Sequence, residues 1–321
     1  MKAVRLYGIR EVKIEHSAPP TLKSGWARVQ VHAAGICGSD LHNFITGKWF
    51  SRLPVTPGHE LFGVIAEINE SESLFRVGMR VVADSRVWCG SCFFCLAGEN
   101  NLCDELGFVG EVFDGGFAEE VILPLQNLLI VPDSVPDDIA VLSEPLGVAL
   151  RVINQLNPSA GDTVCVAGGG TIGGLTALLL SRLKKCRVQL LEPNKQRYQL
   201  LSSVVGLSPP GTFSLAVEAS GHPAALIDLL SSIRSGGRIA LVGIFHHSKG
   251  LDLNKVVEKE ITLICCSVFQ DEQNEALQVM ASLAEDLRKL IAPPITLDEL
   301  PDAYMSLISG DSHYLKTVTN Q

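Results

Sequence analysis

Positive charge is in short supply in this chain. Lys and Arg total 26 against 35 Asp and Glu in 321 residues, which leaves a formal charge of -9 and a pI near 5.4. A nucleic-acid or anionic-membrane surface needs clustered Lys and Arg, so neither is expected as a partner, and a small molecule is. Long apolar runs are missing too. Stretches such as Leu175 to Leu183 are interrupted by Ser and Arg and fall short of the ~20 residues of a membrane span. No charged and apolar leader opens the chain, so its nine cysteines are expected as reduced thiols in the cytoplasm, serving as ligands or core residues. With 46% hydrophobic and 19% charged residues the chain is long enough for two cores, and two domains are expected.

The first 140 residues read as β-rich, with strand-like patterns at Trp26 to Ala33 and Glu60 to Ile68 cut by Pro and Gly turns. From Ala160 short apolar runs alternate with helix-like segments: Thr163 to Ala167, Arg187 to Leu191, Phe213 to Ala219, Arg238 to Val242 and Ile261 to Val268. That alternation predicts an α/β domain with a doubly wound parallel sheet. The turn residues Asn157 to Asp162 place the boundary near 146 to 160, and Glu275 to Leu290 reads as a helix stopped by Pro293-Pro294.

Three clusters carry chemistry. Cys89, Cys92, Cys95 and Cys103 fall within fifteen residues of a polar loop, the pattern of a closed four-thiolate structural zinc site. Gly168-Gly169-Gly170-Thr171-Ile172-Gly173 follows one apolar run and opens another. Its first glycine suits a tight turn, its second a close approach of backbone to pyrophosphate, and its third the packing of helix on strand. Glu192 ends the second strand nineteen residues beyond Gly173, where a carboxylate holds a ribose 2'-hydroxyl, so NAD is favoured over NADP; Lys195 and Arg197 weaken that preference. The expected cofactor set is Gly168, Gly170, Thr171, Ile172, Gly173, Glu192, Arg197, Val242 and Gly243. Finally, Cys37 opens Cys37-Gly38-Ser39-Asp40-Leu41-His42, and Gly58-His59-Glu60 follows a proline-bounded segment. Thiolate, imidazole and carboxylate form the mixed set of a catalytic zinc that keeps a position open. Glu144 lies in a largely apolar setting where a metal would remove the cost of burying an unpaired carboxylate.

Together these motifs, with Gly115 to Glu119 and Glu144-Pro145-Leu146, resemble the zinc-dependent medium-chain dehydrogenases, and within them the sorbitol and idonate dehydrogenase branch. The resemblance implies a GroES-like β-rich catalytic domain (1–147 and 276–321, with the zinc lobe at about 86–106) and a Rossmann NAD-binding domain (148–275). It implies a catalytic zinc on Cys37, His59, Glu60 and Glu144, the last directly or through water. A second zinc falls on the four cysteines, Ser39 and His42 form a proton relay, and Asp40 orients His59. The implied reaction is NAD-linked oxidation of a secondary alcohol, a polyol, cyclitol or sugar alcohol, to a ketone. The implied assembly is a homodimer or homotetramer joined through strand 261–268.

The chain departs from that pattern in two places. Only Gly206 to Gly211 and their flanks separate the helix after the second strand from the run at Phe213, too few residues for a return strand and helix. The third, edge strand is therefore expected to be absent or vestigial. The branch's polyol-binding Arg falls here on Val268 or Phe269, both apolar, which points to a less hydroxylated, cyclic or modified alcohol. Phe44, Trp49 and Phe50 are candidate pocket residues. A zinc-free quinone or enone reductase of the same superfamily is the alternative enzyme, and a catalytically silent nucleotide- or metal-binding protein the alternative class.

Overall fold

The computed structural model describes residues 1–245 and 250–321. His246 and His247, which carry no catalytic spacing, lie outside the described residues. The chain forms two compact units, 1–144 with 276–312 and 316–321, and 145–275 with 313–315. Residues 313–315 are placed with the first domain from sequence and pack instead with the second unit. There the Leu315 carbonyl accepts the Thr171 hydroxyl and the Leu315 side chain lies over Gly174.

The first unit is built on a six-stranded antiparallel sheet. Its long central strand, Trp26–Gly35, alternates buried and accessible positions, the period-2 signature that puts one face into the core. It pairs with Glu60–Ile68 on one side and with Glu120–Pro124 and Val318–Asn320 on the other; Arg80–Ala83 and Leu128–Ile130 extend the sheet. Val29, Val31, Leu61, Ile65, Phe117, Leu123 and Tyr304 form the core beneath it.

In the second unit five parallel strands run in the order Arg187–Leu191, Thr163–Ala167, Leu215–Glu218, Arg238–Leu241, Thr262–Cys265. This is a doubly wound sheet without its third strand. The helix Lys195–Val205 stops at Gly206, whose φ of 74° is left-handed, and the chain turns straight back. The Ser208 N–H then donates to the Val188 carbonyl at 2.7 Å. Pro209 and Pro210 follow, which lack donors and so discourage further pairing along the edge the missing strand would cover. The last strand is shorter than the run Ile261 to Val268 because backbone at Glu260 (φ 50°) and Val268 (φ 43°) leaves the extended region. The run at Phe213 likewise narrows to Leu215–Glu218, and the helix after the last strand spans Glu272–Arg288. Among the described residues no helix is long and apolar enough to cross a membrane.

The turn Gly168 to Gly173 is fixed by space. Gly168 has a φ of 97°, and a Cβ at Gly173 would stand 1.9 Å from the Gly168 carbonyl oxygen, so the helix Thr171–Arg182 packs onto its strand only through a bare backbone. Gly173→Ala is therefore expected to cost about 1–3 kcal/mol of stability, read as a lower denaturant midpoint with an unchanged slope.

Candidate active site

The first unit gathers Cys37, His59 and Glu60 from two adjacent strand ends. Cys37 caps the helix Gly38–Thr46, which follows the central strand, and Glu60 begins the strand paired with it, directly opposite Gly35. A Cβ at Gly35 would lie 2.3 Å from Glu60 Oε2, so only glycine leaves room for that carboxylate. The donor atoms of Cys37, His59 and Glu60 all lie within 4.8 Å of one another.

The C-terminal strand delivers a cation to the same point. Val318 pairs with Gly35, which places Lys316 beside Glu60. Its Nζ donates to Glu60 Oε1 at 2.6 Å and to the Ile36 carbonyl at 3.0 Å. Both side chains are essentially sealed, at 2% and 1% exposure. Burial alone would lower the Lys316 ammonium; the Glu60 and Cys37 charges outweigh it and hold its pKa above the usual value. The other Glu60 oxygen, Oε2, is buried with no hydrogen-bond partner. A buried carboxylate oxygen left unpaired is costly. The Cys37 thiol and the His59 imidazole offer donors within 4.8 Å of a Glu60 carboxylate oxygen, and a zinc ion is the group whose charge and ligand preferences match all three.

Asp40 serves two neighbours. It accepts the Cys37 N–H at 2.8 Å and stands 3.7 Å from His59 Nδ1, which leaves Nε2 as the nitrogen for a metal. Burial raises the Asp40 pKa. Burial would lower His59, but Asp40 and then Cys37 overturn that and hold the imidazolium well above its ordinary range. Glu144, in the first turn of Ser143–Leu156, is outside the 4.8 Å trio and accepts the Ser85 hydroxyl at 2.8 Å. Burial pushes its carboxyl up to about 7.

Ser39 and His42 lie three residues apart on one face of their helix. Ser39 lines a cleft with Asp40, Asn43, His59 and Glu111. The His42 ring packs on Trp49 with centroids 4.6 Å apart, and its Nε2 is 3.4 Å from the Thr46 hydroxyl. Phe44 is buried in the core, and Phe50 is half-buried beside Gly47. Phe269 is fully buried.

The four cysteines of the loop converge within 4.8 Å, with Cys89 and Cys95 sulfurs 4.0 Å apart. A tetrahedron with Zn–S bonds of about 2.3 Å has edges of about 3.8 Å, so the set fits a four-thiolate zinc site. The backbone N–H groups of Ser91 and Cys92 lower the Cys89 thiol to about 6, which prepares it as a thiolate; desolvation raises Cys95 to about 12.

In the second unit a Cβ at Gly170 would meet open space, so backbone at the helix start is free to approach an anion. Glu192 accepts the Gly169 N–H at 2.6 Å and the Asn194 N–H at 2.7 Å, with Arg197 Nη1 3.6 Å away. Thr171 and Ile172 open the helix half-buried. Val242 and Gly243 both donate N–H to the Glu218 carbonyl. Sequence reasoning passed over Lys316, Ser85 and Glu111. A lysine in a short mixed tail and a serine after a strand give no signal until the sheet register places them.

Replacing Lys316 by Met strands Glu60 without its cation. The metal-free protein is expected to lose about 3–5 kcal/mol in denaturant unfolding, and the zinc-loaded protein less. Asp40 and Glu144 bind protons more tightly folded than unfolded, so their contribution is complete below the unfolded carboxyl range and is lost as pH rises through about 7. The melting temperature of the metal-free protein should fall between about pH 5 and pH 8. Glu144→Gln should flatten that fall.

Residues 23–133 match the alcohol dehydrogenase GroES-like domain family, and residues 189–285 the zinc-binding dehydrogenase family. The chain is 30% identical to an L-threonine 3-dehydrogenase of Sinorhizobium medicae over 88% of each sequence. It is 27% identical to a sorbitol dehydrogenase of Bacillus subtilis over 99% of this chain and 96% of that one. A solved structure from Sinorhizobium meliloti, holding NADP, superposes with a TM-score of 0.92 at 26% identity, covering 100% of this chain and 99% of that one. By these likenesses, which span both units, the chain belongs to the zinc-dependent medium-chain alcohol and polyol dehydrogenases.

Proposed function

We propose that the protein oxidises a secondary alcohol carrying a neighbouring polar group to a ketone, reversibly, with NAD as hydride acceptor and two zinc ions per chain. The observation that carries this reading is the buried trio Cys37, His59 and Glu60, with an orphaned carboxylate oxygen, in a unit whose cleft is lined by His59 and Ser39. The named activities of the relatives, on sorbitol and on L-threonine, support a secondary alcohol flanked by hydroxyl or amine.

A zinc ion held by Cys37, His59 and Glu60, with Glu144 in reserve, would polarise the alcohol oxygen, and NAD would accept the hydride from the adjacent carbon. The chain's own residues do the rest. Asp40 fixes the His59 ring, and Lys316 holds Glu60 in place through Oε1. Ser39 accepts the hydroxyl proton as it gives up its own toward half-buried His42, one helical turn on, which passes a proton to water. Glu192 supports NAD over NADP, because a 2'-phosphate would meet its carboxylate. The four-cysteine zinc staples its lobe.

A homodimer through the exposed edge Thr262–Cys265 and a cytoplasmic setting belong to the same proposal; all nine cysteines are free thiols. Purified protein should carry two zinc ions and reduce NAD with a small diol or amino alcohol. Ser39→Ala should lower kcat by about a hundredfold or more with zinc content unchanged. No NAD or NADP reduction by zinc-loaded protein with any such alcohol would overturn the reading.

A further inference from the structure

The cleft beside His59 holds a carboxylate that the reaction does not use. Glu111 sits in a turn whose position is fixed from both sides. Gly110 donates to the Phe113 carbonyl, and Glu111 and Val112 both donate to the Phe108 carbonyl. A Cβ at Gly110 would press on Pro57 and Gly58 at 3.0–3.2 Å, so this turn rests directly on the backbone leading into His59. The Ser51 hydroxyl clamps the Glu111 carbonyl from outside. The backbone is therefore held, and Glu111 lines the same cleft as Ser39 and His59.

Beside the His59 imidazole, the lining of that cleft contains two carboxylates, Asp40 and Glu111, and neither Lys nor Arg. Asp40 is already engaged with the Cys37 N–H and His59. The Glu111 carboxylate has no hydrogen bond or ion pair among the described residues, although the residue is half-buried. Burial pushes its carboxyl up to about 7, with Asp40 adding to the rise and His59 opposing it. A carboxylate without a partner at the wall of a cleft is placed to meet a cationic group of a ligand. It stands clear of the Cys37, His59 and Glu60 donor set, so a ligand could meet Glu111 and the metal position with different atoms.

We propose that Glu111 is a specificity-determining residue that pairs with an ammonium group next to the reacting hydroxyl, so that the site prefers a small vicinal amino alcohol over the matching diol. This rests on the dehydrogenase reading above but concerns a different atom pair, and the two can fail separately. An ammonium presents hydrogen-bond donors of positive charge to a carboxylate in a sheltered cleft, a charge-assisted pair that a hydroxyl does not match.

The test compares 1-amino-2-propanol with 1,2-propanediol, which differ only in that group. Calorimetric titration of the zinc-loaded full-length chain should give the amino alcohol a Kd about tenfold tighter, the scale expected of one charge-assisted hydrogen bond. Glu111→Gln should bring the ratio close to one, and Glu111→Asp should retain most of it. Equal affinities in the wild type, or a ratio that survives Glu111→Gln, would overturn the proposal; the latter would assign the amine to the metal instead. Turnover is read separately, as the ratio of kcat/KM for the two alcohols, which should fall with Glu111→Gln. Diol oxidation without amine preference sinks the Glu111 assignment alone, whereas tight amine binding with no NAD reduction by either alcohol supports Glu111 and sinks the dehydrogenase reading.

Discussion

One buried oxygen organises the first unit's chemistry. Glu60 carries a full carboxylate in a sealed position, and the fold satisfies only half of it: Lys316 takes Oε1 and nothing takes Oε2. Burying a charge is costly unless it is paired, so the arrangement makes sense as one half of a metal site. The thiol of Cys37 and the imidazole of His59 supply the other donors. Burial raises the pKa of Asp40 and of Glu144, and the neighbouring Asp40 and Cys37 raise that of His59 against its own burial.

Three distant stretches of sequence meet to build it. The central strand contributes Gly35 and then Cys37, its neighbour contributes Glu60, and the last strand brings Lys316 from 256 residues away. Glycine at position 35 is the enabling residue, since any side chain there would occupy the carboxylate's place. The lobe with Cys89 to Cys103 is local by contrast: four thiols close together in sequence converge through a short helical turn, with backbone N–H groups conditioning Cys89.

What the sequence reveals follows from this difference. Short-range patterns are legible: the cysteine spacing, the glycine turn before an apolar helix, the alternation of strands and helices, and even the lost third strand, because a chain of a few residues leaves no length for a crossover. Features set by register are not. Lys316 reads as one lysine in a mixed tail until Val318 is paired with Gly35. Ser85 meets Glu144, and Glu111 reaches the cleft beside His59, only once the loops that carry them are folded. The run Ile261 to Val268 is overestimated because propensity does not foresee the left-handed backbone at Val268. Glu192 falls where the cofactor pattern puts it, yet both its oxygens already accept backbone N–H groups, which spacing alone does not convey.

The central claim is that the buried trio is a metal site distinct from the four-cysteine lobe. The most direct measurement is an anomalous diffraction map of the zinc-loaded protein recorded across the zinc absorption edge. Two peaks are predicted, one within about 2.3 Å of all four cysteine sulfurs and one within that distance of Cys37 Sγ and about 2.0–2.1 Å of a His59 ring nitrogen. A single peak at the four cysteines, with Glu60 Oε2 still unpaired beside Lys316 at full zinc occupancy of the lobe, would contradict the account.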